Sequence, residues 1–152
     1  MSHPGGSGPD CVALSFDVDW APDFMLDELR SLLEGLGLPF TVFATHDSPG
    51  VRRLLAVPGC ETGLHPNLLG CADEAGRLAE LRSWFPEARG LRCHGLSYHS
   101  GLLAVLHGMP LRYLSNDLCH RQAGLRPWFD FSGLLRLPIY WEDDVHCVCG
   151  DG

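Results

Sequence analysis

Residues 13–20 read Ala13-Leu14-Ser15-Phe16-Asp17-Val18-Asp19-Trp20, and this stretch decides the fold class. Successive side chains of a strand turn to opposite faces. Asp17 and Asp19 therefore share one face, and Phe16 and Val18 share the other. The stretch closes a first strand that reads from Cys11 to Val18. Pro22 then opens a helix carrying Phe24, Met25, Leu29, Leu32 and Leu33, and Gly35 and Gly37 end it. A strand followed at once by an amphipathic helix is the unit of a parallel α/β fold.

Working outward, the alternation continues. Pro39–Ala44 reads as a strand, and Ser48 and Pro49 open a short helix through Val57. Gly59–Leu64 is a third strand, and Asp73 caps a helix to about Phe85. Gly90–Cys93 is a fourth strand. Ser97 or Ser100 starts a helix to Gly108, and Leu111–Leu114 is a fifth strand. Trp128–Phe131 and Leu134–Tyr140 read as two further strands separated by Ser132-Gly133. This is an α/β pattern with a largely parallel sheet or barrel. The expected organisation is a flexible Gly, Pro and Ser-rich leader over residues 1–10, one domain over 11–144 and a polar tail over 145–152. One more strand or helix would be needed to close a barrel.

Composition narrows the function. The chain has 152 residues, 45% hydrophobic and 20% charged, enough for one folded core. All 11 basic residues are Arg, so a Schiff-base lysine is excluded. The net charge of -8, with no basic run, argues against nucleic acid and anionic membranes. No apolar stretch approaches the ~20 residues of a bilayer span. Seven cysteines, at 11, 60, 71, 93, 119, 147 and 149, form no CxxC. They read as free thiols of a cytoplasmic protein, with only Cys147 and Cys149 close enough in sequence to attract interest as a pair.

Two adjacent carboxylates repel, so burying both needs a cation or a proton between them. Asp17 and Asp19 stand at the C-terminal end of their strand, where parallel α/β folds place their sites. On these residues alone a second reading is equally good: Asp19 caps the following helix and Asp17 is a solvated strand end. Asp23 and Asp27 are first-turn helix acids. His65 ends the third strand in Glu61-Thr62-Gly63-Leu64-His65-Pro66-Asn67, with Gly63 leaving room beside it. His94 ends the fourth strand, two residues after Arg92 and on the same face. Two strand-end histidines and a strand-end carboxylate make a possible His₂Asp site with open positions. His46, His99, His107, His120 and His146 read as ordinary surface or core residues, and His3 belongs to the leader.

These residues resemble the polysaccharide deacetylase (NodB-homology) superfamily, carbohydrate esterases on a distorted (β/α) barrel. Ser15-Phe16-Asp17 with Asp19 resembles the first motif. Phe40-Thr41-Val42-Phe43 resembles the second strand. Glu61-Thr62-Gly63-Leu64-His65 resembles the second motif, and Arg92 the arginine of the third. The likeness runs from about residue 11 to 144, and implies a distorted, incomplete barrel. It implies a metal-dependent hydrolase that removes an N-acetyl group from an amino sugar or polysaccharide precursor. Asp17 would be the base, oriented by Arg92, and Asp19 and His65 would hold a divalent ion, Zn²⁺ or similar.

Two departures matter. The family's second histidine, four residues after the first, is Leu69 here, which leaves His94 as the candidate third ligand. The family's late Leu-x-His strand is replaced by Leu137-Pro138-Ile139-Tyr140-Trp141-Glu142-Asp143-Asp144, whose Glu142 or Asp143 can supply the general acid. The His65-Pro66-Asn67 and Trp141-Glu142-Asp143 runs resemble a divergent sugar-biosynthesis subgroup. Asn67, Trp20, Trp141 and Asp143 are candidate substrate contacts, with Tyr98 and Trp128 as further aromatics. The competing expectations are a degenerate domain that binds a glycan or partner without turnover, and an amidohydrolase for a non-sugar amide. Phosphoryl transfer at the aspartate pair lacks a Gly-rich phosphate loop.

Overall fold

Strand ladders and helix caps account for the architecture, which the computed structural model of the chain describes over residues 12–149. The leader, Cys11 and the side chain of Cys149 lie outside the described residues. Strands β1 (Leu14–Asp17), β2 (Phe40–Ala44), β3 (Cys60–Leu64), β4 (Gly90–Leu91) and β5 (Tyr113–Leu118) pair in parallel in that order. Strand β7 (Leu135–Ile139) adds parallel to β5, and β6 (Trp128–Phe129) adds antiparallel to β7. The seven-stranded order is β1-β2-β3-β4-β5-β7-β6. Strands β1 and β6 are its edges, so no described strand pair closes the sheet. The fold is the α/β, distorted and incomplete (β/α) barrel that the sequence leads one to expect.

Local chemistry sets the helices. In α1 (Asp23–Leu36), Gly37 takes the left-handed conformation at φ 63° and returns its N–H to the Leu33 carbonyl at 3.1 Å, a terminus glycine adopts without strain. Helix α2 (Pro49–Leu55) is capped by Ser48, whose Oγ accepts from the Val51 N–H. Helix α3 (Glu74–Trp84) is capped by Asp73, which accepts from the Gly76 N–H at 2.8 Å. Helix α4 (Ser100–His107) starts at Ser100, one of the two expected serines, and is capped by the ring of His99, whose Nδ1 accepts from the Leu102 N–H.

The sheet residues sort by parity. Phe40, Val42, Ala44, Leu64, Leu91 and Leu114 join Leu26, Leu33, Leu54, Leu78, Leu81 and Leu102 of the helices in one buried apolar core. Truncating any one of these leucines to alanine costs about 2–5 kcal/mol. The alternate residues, Ser15, Asp17, Phe43, Gly63, His65, Arg92, Tyr113 and Ser115, carry the polar chemistry.

The structure departs from expectation at four places. Strand β4 stops at Leu91, because Cys93 donates its N–H to the Asn116 side chain and His94–Leu96 coil into a 3₁₀ turn. His94 therefore opens a turn instead of ending a strand. Strand β5 begins at Tyr113 and runs to Leu118, two residues later at its start, since Leu111 donates back to Met109 at 2.8 Å. The last two strands form a hairpin with β7 inside and β6 outside. Asp130 closes it by accepting from the Ser132 backbone and hydroxyl. The polar stretch expected as a tail forms α5 (Asp143–Cys149), with Asp143 and Asp144 in its first turn, where acids complement the helix dipole.

Candidate metal centre

The residues of the candidate site hang from the C-terminal ends of β1, β3 and β4. Ladder hydrogen bonds continue past the strands to fix them. The His65 N–H reaches the Ala44 carbonyl at 2.8 Å, the Arg92 N–H reaches Leu64 at 2.9 Å, and the His94 N–H reaches Pro66 at 2.9 Å. Asp19 follows β1 in a turn closed by the Ala21 N–H and the Val18 carbonyl at 2.9 Å. Its φ of 41° lies in the left-handed region, which costs a non-glycine residue about 1 kcal/mol and which aspartate tolerates better than most.

Three donors converge there. Asp19 Oδ1 lies 3.3 Å from His65 Nε2 and 2.9 Å from His94 Nδ1. One donor atom from each of the three residues lies within 4.8 Å of the other two. Donors that share an ion at ~2 Å stand roughly 3–3.5 Å apart in a tetrahedral site. Two imidazoles and one carboxylate suit zinc and its divalent neighbours. His65 is 2% exposed. Burial, partly opposed by Asp17 and Asp19, lowers its pKa, which favours the neutral ring that a metal needs. Its Nδ1 is buried without a hydrogen-bond partner and stands 3.9 Å from Asp17 Oδ1. The donor set, its spacing and the neutral ring all fit a divalent ion. Leu69, where the second family histidine would stand, is exposed.

Beside this cluster, Arg92 donates to Asp17 Oδ1 at 3.0 Å through Nη1. The same guanidinium donates to the Ser115 carbonyl, to Ser15 Oγ and to Ser115 Oγ. Its Cζ lies over the Phe43 ring, 4.4 Å from the ring centre. Gly63 makes this stack possible, since a Cβ there would overlap the Phe43 ring. The room at Gly63 thus serves Phe43 and, through it, Arg92. Gly90 likewise makes way for Tyr113, which donates to Glu61 at 2.5 Å.

A cleft of about 370 Å³ opens over the cluster, and Glu142, Asp144, Val145 and Leu118 complete its wall. Burial first, then the neighbouring Asp144, raises the pKa of Glu142. A hollow of similar size between α3 and α4, about 380 Å³, has Arg82 as its charged lining residue and offers no comparable set of donors.

The other expected contacts fall as follows. The exposed Trp20 packs edge-on against His94 at 5.3 Å. Trp141 packs against His146 at 5.7 Å. Asn67 Oδ1 accepts from the Leu69 N–H at 3.0 Å, which occupies it in a local turn. Asp143 is exposed at the start of α5, and its neighbour Asp144 faces the cleft. Sequence reasoning missed Ser15, Phe43 and Ser115 as supports of Arg92. Ser115 lies one residue beyond the fifth strand that the sequence pattern marks, in the part of β5 that only the structure adds.

Comparison with known proteins places the chain in a family. No curated protein matches the chain. The solved structure of WbmS from Bordetella bronchiseptica, described as a polysaccharide deacetylase involved in O-antigen biosynthesis, is 35% identical. It superposes with a TM-score of 0.81 over 90% of this chain and 60% of its own. A solved structure from Mycobacterium smegmatis, also described as a polysaccharide deacetylase, shares 19% identity and the same fold, with a TM-score of 0.63 over 90% of this chain and 62% of its own. The chain thus spans about three fifths of the length of each. Residues 14–151 match the family described as WbmS-like polysaccharide deacetylase, and the chain belongs to that family.

Proposed function

We propose that this chain is a metal-dependent hydrolase that removes an N-acetyl group from an amino sugar or polysaccharide precursor. The observation that carries the reading is the convergence of Asp19, His65 and His94 beside an aspartate held by a buried arginine. The three donors would hold a divalent ion, with zinc the best match to two imidazoles and a carboxylate. Bound there, such an ion supplies polarisation of the amide carbonyl and a lowered pKa for a neighbouring water.

The remaining chemistry belongs to side chains. Asp17, oriented by Arg92 at 3.0 Å, takes a proton from the attacking water at its carboxylate. The water oxygen bonds to the acetyl carbon, and the carbon–nitrogen bond breaks to give acetate and a free amine. Glu142, whose raised pKa keeps it protonated to higher pH than usual, donates to the departing nitrogen. Trp20, beside His94, offers a flat surface to a sugar ring, and Trp141, Asn67 and Asp143 stand as outer contacts. Free thiols at Cys60, Cys71, Cys93, Cys119 and Cys147 accord with a cytoplasmic location. No described helix is long and apolar enough to cross a membrane.

The test is acetate release from a panel of N-acetylated sugars and small non-sugar amides, with bound metal measured by elemental analysis. Turnover of acetylated sugars by metal-loaded protein, abolished by chelation, is the expected result. Turnover confined to non-sugar amides, or metal bound with no turnover of any kind, would overturn it.

A further inference from the structure

We infer that His46 is a positioning residue for the metal centre, acting through the backbone of Asp19; the inference rests on the metal reading above. The Asp19 side chain is 49% exposed, so packing does not hold it. Its carboxylate meets His65 and His94 because of where the backbone turns. That turn depends on an uncommon φ of 41°, and such strain persists only where surroundings enforce it.

His46 supplies the enforcement. Its Nδ1 lies 3.0 Å from the Asp19 carbonyl oxygen, across 27 residues of sequence, and 2.8 Å from Thr45 Oγ1. A carbonyl oxygen only accepts, so the contact is a hydrogen bond in the tautomer that carries its hydrogen on Nδ1, which then points to Asp19. The Asp19–Trp20 peptide plane is thereby fixed from outside its own turn. His46 is itself anchored. Thr45, its neighbour just past β2, is fully buried, and the Thr45 carbonyl accepts from Arg77 Nη2 at 3.3 Å. Without the imidazole the peptide is free to rotate toward a commoner φ, and the carboxylate swings off the two histidines. Partners that orient a ligand in this way typically change metal affinity by about 10–100-fold.

The experiment uses zinc itself as probe. Zinc affinity is measured by competition with a chelating dye for the wild type, His46→Ala and His46→Asn. Asparagine places an amide donor close to the position of Nδ1. In parallel, the Asp19 Cα and amide resonances of the metal-free proteins are recorded by NMR. The expected result is an affinity loss of about tenfold or more in His46→Ala, largely recovered in His46→Asn, with Asp19 resonances displaced in the alanine variant alone. Equal zinc affinity in the wild type and His46→Ala, or unmoved Asp19 resonances, overturns the positioning role and leaves the metal reading intact. An asparagine variant as weak as the alanine variant overturns the hydrogen-bond account. A wild type that binds no zinc overturns the metal reading, and the Asp19 resonances then decide the role of His46 alone.

Discussion

Arg92 and Asp17 are 75 residues apart in sequence and meet at 3.0 Å, Nη1 to Oδ1. Arg92 is 6% exposed and spends its donors on four acceptors from β1 and β5. Lysine offers a single charge without the planar fork. Arg92→Lys, with three donors for four acceptors, should therefore leave at least one of them unpaired and lower unfolding stability by about 1–3 kcal/mol, read by urea denaturation. Asp17→Asn should keep bound metal yet lose turnover by about 10²–10⁴-fold. A wild-type rate in that variant would remove Asp17 from the reaction.

The donor cluster makes a metal prediction with a pH sense. Asp19→Ala and His65→Ala should each abolish zinc binding, and His94→Ala should weaken it strongly, as measured by elemental analysis after dialysis. Full metal content in all three variants would dismiss the site.

Burial lowers the pKa of His65 in the folded chain. Below the ordinary value of about 6.5, the unfolded chain takes up a proton that the folded chain refuses. Stability of the metal-free protein should thus fall as pH drops through about 6.5 and continue to fall until the folded ring also protonates. His65→Gln should flatten that part of the profile, followed by thermal unfolding in the presence of chelator.

Gly63 links packing to chemistry. Gly63→Ala should displace the Phe43 ring that supports Arg92, at a cost of about 1–3 kcal/mol for the overpacking. Turnover should fall while zinc affinity stays near wild type, because Phe43 backs Arg92 and, through it, the proposed base, and touches none of the proposed ligands. Zinc affinity lost in step with turnover would show that the relay ends on the ligands instead.

Glu142 has its carboxyl pKa raised by burial and then by Asp144. The folded chain therefore holds a proton above about pH 4.3 that the unfolded chain has released. Its contribution to stability is complete below that pH and is lost as pH rises through the folded value. Glu142→Gln should be more stable than wild type at pH 7 and no more stable at pH 4, by thermal unfolding. The same change should remove the alkaline limb of the kcat/KM profile, since the proton donor is gone.

Neighbouring residues make most of the elements and half of the candidate site legible. Period-two alternation placed β1, β2 and β3. Gly37, Ser48 and Asp73 marked helix ends within a residue, because capping is settled by atoms three or four positions apart. Asp17, Asp19 and His65 were legible for the same reason: each stands where a readable strand stops. The partners come from strand register and packing. Arg92 reaches Asp17 only because the parallel registers Asp17↔Phe43, Phe43↔Gly63 and Gly63↔Gly90 stack the strand ends at one level. His94 enters the cluster only because the chain coils after Leu91. His46 looked like an ordinary histidine until a carbonyl 27 residues away stood against it. The hairpin order of β6 and β7, and the acidic helix α5 over the cleft, likewise depend on a sheet edge that exists only after β5 is in place. Local chemistry is written in neighbouring residues, whereas convergence is set by register, which no short stretch of sequence contains.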